Sequence, residues 1–341
     1  MSRHAARAIQ NALPEDVHTS VLPEFVRIAG ARFRSPLTHR FGNATWKVLQ
    51  DRAVRHVDFG DAATLISMPG SSLDTFRANR SRRLVLHEVD AHPRTHNESL
   101  QRFYGHRRPK AEIYPDYFVE RIEQEISLAD HVLVPSRRVR DQMRANGVAS
   151  ANIVTIPYGV EPSIFRPGEA DLRGSSSGRL QAVFTGQVNL IKGVSFLIEA
   201  VRGQPIDLAI AGQIFDTRIV HNLPSNISLL GVLTAKQLAH LYARMDVFVL
   251  PSIEDAFGLV VTEAVASGLP VITTRQVGAH EFLSSRHAVV EAGDIAGLRE
   301  ALSARSPLTW DERHEISTEG LNCGWATWDV YADHVIDAVT V

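Results

Sequence analysis

Met245-Asp-Val-Phe-Val-Leu250-Pro-Ser-Ile-Glu254-Asp255-Ala-Phe257-Gly258-Leu259-Val-Val-Thr-Glu263-Ala-Val-Ala266-Ser-Gly268-Leu-Pro270-Val-Ile-Thr273 decides the fold. Val247 to Leu250 is short, β-branched and aromatic, and Pro251 stops it, so it reads as a strand buried on both faces. From Gly258 to Ala266 the chain is almost wholly apolar, and Gly268 with Pro270 supplies a helix stop. The unpaired N–H groups and positive dipole end of such a helix make a seat for a phosphate. Glu263 lies inside the helix among Val260, Val261, Ala264 and Val265, where a carboxylate stays charged only if something hydrogen-bonds it. At about 1.5 Å per residue it sits roughly 8 Å along a helix that starts near Gly258. Asp255 precedes that start. Two carboxylates therefore flank a diphosphate-sized seat, each placed for hydroxyls on one side.

Outward from this stretch, strand and helix signals alternate: Gln181 to Thr185, Ser195 to Val201, Asp207 to Ala211, Ile227 to Leu230, Lys236 to Ala243, Val247 to Leu250, Gly258 to Ala266 and Val271 to Thr273. The alternation predicts a parallel sheet with helices on both faces, with ligands beyond the carboxyl ends of its strands. In the first half, Arg83 to Glu88, His131 to Val134 and Ile153 to Pro157 read as strands, with a helix over Glu120 to Leu128. Gly174-Ser-Ser-Ser-Gly178, preceded by Pro162, Pro167 and Gly168, marks an exposed linker.

The segment resembles the donor-site motif of glycosyltransferase family 4, the retaining enzymes in which two Glu residues eight positions apart hold a nucleotide-sugar. The resemblance implies that Asp255 touches the donor sugar and Glu263 the ribose, with Phe257, Gly258 and Leu259 at the donor. Asp stands where the family has Glu, and Glu254 precedes it, so either Asp255 or Glu254 makes the sugar contact. Ile126 to Ser136 and Ile156 to Phe165 are similar to the family segments that close its first domain. Phe184-Thr-Gly186-Gln187-Val-Asn-Leu-Ile-Lys192-Gly193 gives a strand, a glycine turn and a cation before a helix; Gly186 lets backbone approach a ligand and Lys192 offers a point charge to a diphosphate. Gln187 replaces the usual Arg and keeps hydrogen-bond donors. In Leu86-His87-Glu88-Val89-Asp90-Ala91-His92-Pro93, the family often keeps a histidine near the reacting sugar; His92 is the choice over His87, with Asp90 next.

The implied fold is α/β, with two Rossmann-like doubly wound domains facing each other across a cleft (GT-B). The expected boundaries are 1–168 for an acceptor-side domain lacking its first strand, 169–324 for the nucleotide-sugar domain, and 325–341 for a helix crossing back. Family members open with a strand and glycine-rich loop, whereas Met1 to Leu13 looks like the following helix; a misplaced start and a real loss both fit. The implied activity is transfer of a sugar from a nucleotide diphosphate sugar to a glycan, lipid-linked or small-molecule acceptor. The alternative is a catalytically impaired nucleotide-sugar-binding or scaffold subunit. No essential metal or other cofactor is expected, because the helix start and Lys192 neutralise the diphosphate.

Composition agrees with these expectations. The 341 residues, 44% hydrophobic, suffice for two ordinary cores. The lone Cys323 excludes an internal disulfide, and the absence of a long apolar run or signal peptide points to a soluble, cytoplasmic protein. Residues 1 to 165 hold 23 Lys+Arg against 18 Asp+Glu, within a chain of net charge -2. A basic first half, with Arg27, Arg32, Arg34, Arg40, Arg80, Arg82 and Arg83, fits an anionic acceptor or peripheral membrane contact and equally an ordinary solvated surface. Nothing in it reads as a nucleic-acid site.

Overall fold

A computed structural model describes residues 44, 47–55, 57–107, 112–168, 178–323 and 327–340. Two compact units result: residues 1–97, 109–156 and 331–341 form the first, and 98–108 with 157–330 the second. The division falls at Ile156 instead of near residue 168, and residues 98–108 group with the second unit although they lie in the first half of the sequence. The opening segment, with Arg27, Arg32, Arg34 and Arg40, most of the serine-rich linker, and Trp325 lie outside the described residues.

In the first unit, β1 (Thr64–Ser67), β2 (Arg83–His87), β3 (His131–Val134) and β4 (Ile153–Thr155) form an all-parallel sheet in that order. Helices α1 (Leu73–Ala78), α2 (Pro93–Tyr104), α3 (Asp116–Leu128) and α4 (Arg137–Ala145) connect them. A buried carboxylate holds the start of α1: Glu125 accepts from the N–H groups of Gly70 (2.5 Å), Ser72 (2.9 Å) and Leu73 (3.0 Å). Asp51 accepts from those of Asp74 (2.6 Å) and Thr75 (3.0 Å), and Arg121 pairs with both carboxylates. Unsatisfied helix-start donors and buried charges are thus resolved together.

Of the arginines in the basic first half, Arg80 is exposed and Arg82 and Arg83 are half-buried. Their guanidinium groups donate to main-chain carbonyls: Arg80 to Leu128 (2.8 Å), Arg82 to Ala62 and Gly60, and Arg83 to Val339 (3.0 Å).

In the second unit, strands β5 (Leu180–Thr185), β6 (Ile206–Ala211), β7 (Ile227–Gly231), β8 (Val247–Leu250), β9 (Val271–Thr274) and β10 (Ala288–Val290) stand in the order β10-β9-β8-β5-β6-β7, all parallel. The order reverses between β5 and β8, which makes their carboxyl ends the topological switch point. All four residues of β8 and of β9 are buried, as expected of a central parallel sheet. Helices α5 (Val194–Val201), α6 (Ala235–Tyr242), α7 (Leu259–Ala266), α8 (Ile295–Ser303) and α9 (Trp310–Leu321) complete the unit. The terminal helix α10 spans Trp328–Thr340. From Tyr331 on it belongs to the first unit, where the Tyr331 hydroxyl meets His87 Nε2 at 2.8 Å and the Val339 carbonyl accepts from Thr64 Oγ1 at 3.3 Å.

Candidate active site at the switch point of the second unit

The loops leaving β5 and β8 meet. Ile253 N–H donates to the Ile191 carbonyl (2.9 Å), and Gly193 caps α5 at φ +66, where a Cβ would stand 2.0 Å from the Pro251 carbonyl oxygen. Only glycine permits this left-handed close approach. The β8 loop is pinned from its other side. Asp255 N–H donates to the Gln276 carbonyl (2.9 Å), Gly278 N–H to the Asp255 carbonyl (3.1 Å), and Thr274 Oγ1 to the Ser252 carbonyl (2.6 Å).

This scaffold brings together most of the expected residues. Lys192 Nζ donates to Asp255 Oδ2 at 2.5 Å, with both side chains partly exposed. Lys192 is seated by Asn189, whose Oδ1 accepts its N–H at 3.2 Å and whose amide donates to Gln187 Oε1 at 3.3 Å. Gln187 is exposed and Gly186 half-buried at the mouth of β5. Helix α7 begins at Leu259 after Gly258, a residue at φ +85 whose Cβ would clash with Val277, so the expected helix start is where the sequence puts it.

Glu263 projects from the second turn of α7. It has no hydrogen-bond or ion-pair partner among the described residues, and burial pushes its carboxyl up from an ordinary 4.5 to about 8. At neutral pH it is held protonated. Tyr242 lies near enough to feel the Glu263 charge, which adds to burial in raising its phenol; its hydroxyl is shared with Thr185 Oγ1 at 2.7 Å.

Three expected residues stand differently. Glu254 is only 2% exposed, and its Oε2 accepts from Ser99 Oγ at 3.3 Å, so of the two acidic neighbours it is Asp255 that faces Lys192. Phe257 is buried in aromatic packing against Tyr158 and Phe282, which leaves its ring as core. His92 belongs to the first unit; its Nδ1 accepts the Arg94 N–H at 3.3 Å and its carbonyl accepts the His96 N–H, which makes it the cap of α2. Burial lowers its imidazole to about 4, so the ring is neutral at pH 7.

Ser99, Tyr104 and Asn189 were not anticipated. Asn189 had a signal, a lone polar side chain in the apolar run Val188 to Ile191. Among the described residues no group of three His, Cys, Asp or Glu could hold a metal, and no helix is long and apolar enough to cross a membrane.

A doubly wound unit with a cation, a helix start and two carboxylates at its switch point is built for a phosphorylated, hydroxyl-rich ligand. Residues 179–305 match the family model described as glycosyl transferases group 1. It is 30% identical over 161 residues to a GDP-mannose-dependent alpha-mannosyltransferase of Mycobacterium tuberculosis, covering 46% of this chain and 42% of that protein. It is 29% identical over 199 residues to a D-inositol 3-phosphate glycosyltransferase of Arthrobacter, covering 51% and 47%. The matched region thus spans less than half the length of either relative. Among solved structures, HepE of Anabaena in complex with UDP and glucose superposes with a TM-score of 0.67 at 13% identity, covering 88% and 83% of the two chains. Sucrose-phosphate synthase of Thermosynechococcus elongatus gives 0.63 at 18% identity, covering 81% and 72%. These likenesses give the fold, the two-unit GT-B architecture.

Proposed function

We propose that the protein transfers a sugar from a nucleoside diphosphate sugar to a hydroxyl acceptor, with retention of anomeric configuration. The observation that carries the reading is the grouping of Lys192, Asp255 and the partnerless Glu263 around the start of α7. The ribose diol would give Glu263 the hydrogen-bond donors it lacks, and Asp255 would take hydroxyls of the donor sugar. The helix start and Lys192 would stabilise the diphosphate as charge develops on it. Gln187 would add a neutral donor.

In the transfer itself, the bond from the anomeric carbon to the diphosphate oxygen breaks and one from that carbon to the acceptor oxygen forms on the same face. The acceptor's proton passes to the departing diphosphate, so charge balances without a divalent cation. We take activity in EDTA as part of the proposal. The relatives' names favour a GDP-linked donor and a small phosphorylated polyol as acceptor, and glycan and lipid-linked acceptors are further candidates.

The test is a panel of UDP-, GDP- and ADP-sugars, with nucleotide release followed in the presence of candidate acceptors. Release dependent on both donor and acceptor is the expected result. Binding without turnover for every acceptor would favour a nucleotide-sugar-binding subunit, and absence of both would overturn the proposal.

A further inference from the structure

Ser99 reaches the donor loop from outside the segment that carries the family match. It lies on the second half of α2, which groups with the second unit. Aromatic packing seats this half-helix. The Tyr104 hydroxyl donates to the Leu190 carbonyl (2.9 Å) and lies 3.3 Å from Ser195 Oγ, and its ring stacks on Phe196 at 5.7 Å. Phe103 meets Phe196 edge-on at 6.4 Å. Ser99 and Phe103, four apart, share one helix face, so the ring contacts fix where the Ser99 hydroxyl points.

That hydroxyl donates to Glu254, the buried neighbour of Asp255. Around them the main chain is bonded on both sides, through Ile253 to Ile191 and Asp255 to Gln276. Glu254 is directed to Ser99, and its neighbour Asp255 to Lys192. Rotation of this dipeptide would move both carboxylates together.

We infer that Ser99 is a positioning residue for the donor sugar: by holding Glu254 it aims Asp255, and it thereby sets selectivity among sugars carried on one nucleotide. The inference rests on the proposed transferase activity and adds a residue to it from the first half of the chain.

The test compares wild type, Ser99→Ala and Ser99→Thr in the full chain. For the best nucleotide sugar, Ser99→Ala should lower kcat/KM about tenfold, the size expected from losing one hydrogen bond to a charged group, and should compress its preference over the epimeric sugar on the same nucleotide. Affinity for the nucleoside diphosphate alone should stay within about twofold of wild type, since the diphosphate contacts are untouched. Ser99→Thr keeps the hydroxyl and should restore selectivity. A ligand-free readout runs in parallel: amide exchange at Ile253 and Asp255 should rise about tenfold in Ser99→Ala and stay near wild type in Ser99→Thr. Unchanged selectivity and exchange in Ser99→Ala, or equal impairment in both variants, would overturn the inference. If wild type uses no nucleotide sugar, the transferase reading fails on that result, while the exchange data still judge whether Ser99 positions the loop.

Discussion

Glu263→Gln should make the protein more stable and a worse nucleotide binder at once. Its carboxyl is pushed from 4.5 to about 8 by burial. Stability from such a group is fully present below pH 4.5 and is lost as pH rises towards 8, because the unfolded chain ionises while the folded one stays protonated. Each pH unit in that window costs about 1.4 kcal/mol, which amounts to about 3 kcal/mol by pH 7. Glutamine keeps the shape and removes the titration, so the variant should gain up to that amount at pH 7 and nothing at pH 4. Urea unfolding across this range reads it directly. Ribose hydroxyls donating to the ionised carboxylate are worth about 1.5–3 kcal/mol each, less about 1.4 kcal/mol to ionise it at pH 7. The variant should therefore lose roughly tenfold in affinity for a nucleoside diphosphate. Wild-type binding at pH 7 should also release close to one proton, measurable by calorimetry in buffers of different ionisation heat, and the variant's should not. Equal affinity or equal proton release in the two proteins would refute the ribose role.

Other expectations concern the neighbouring loops and the first unit. Lys192→Met should weaken binding of the nucleoside diphosphate about tenfold to a hundredfold while sparing the nucleoside, and equal losses for both ligands would contradict a diphosphate role. Gly193→Ala puts a Cβ 2.0 Å from the Pro251 carbonyl oxygen at φ +66, so denaturation should show a loss of about 2 kcal/mol or more, and an unperturbed midpoint would refute the close approach. Glu88 is 1% exposed, its Oε2 has no partner, and burial aided by Asp90 raises it to about 8. Stability should consequently fall from pH 4.5 to 8 by several kcal/mol and Glu88→Gln should flatten that fall; parallel profiles for variant and wild type would exclude it. Transfer should persist in excess EDTA, and its loss, restored by a divalent cation, would overturn the cation-independent mechanism.

Most strands were legible as short apolar runs, but the edge strands Thr64–Ser67 and Ala288–Val290 were missed, being too short to stand out. Val247–Leu250 and His131–Val134 lie where their residues put them, and Gly258 marks the start of α7. Helix α2 was not legible: Pro-Arg-Thr-His-Asn-Glu-Ser-Leu-Gln-Arg-Phe-Tyr is polar except for Leu100, Phe103 and Tyr104 near its end, and its cap is a histidine instead of Ser or Asp. Ser99 and Tyr104 were missed with it, since only tertiary contacts bring them beside Glu254 and Leu190. Spacing left Glu254 and Asp255 as alternatives because the choice depends on which partner the folded loop presents to each. Asp255 turns to Lys192. Phe257 lies inside the donor motif, yet its ring fills the core beside Tyr158, so sequence position alone overstated its access to ligand.

The most direct measurement is proton NMR of the product formed by wild type from an α-linked nucleoside diphosphate sugar, the anomeric coupling being read before any equilibration. An α-linked product, appearing in step with nucleoside diphosphate, is the predicted result; a β-linked product, or no binding and no turnover with UDP-, GDP- and ADP-sugars alike, would contradict a retaining transferase built on Lys192, Asp255 and Glu263.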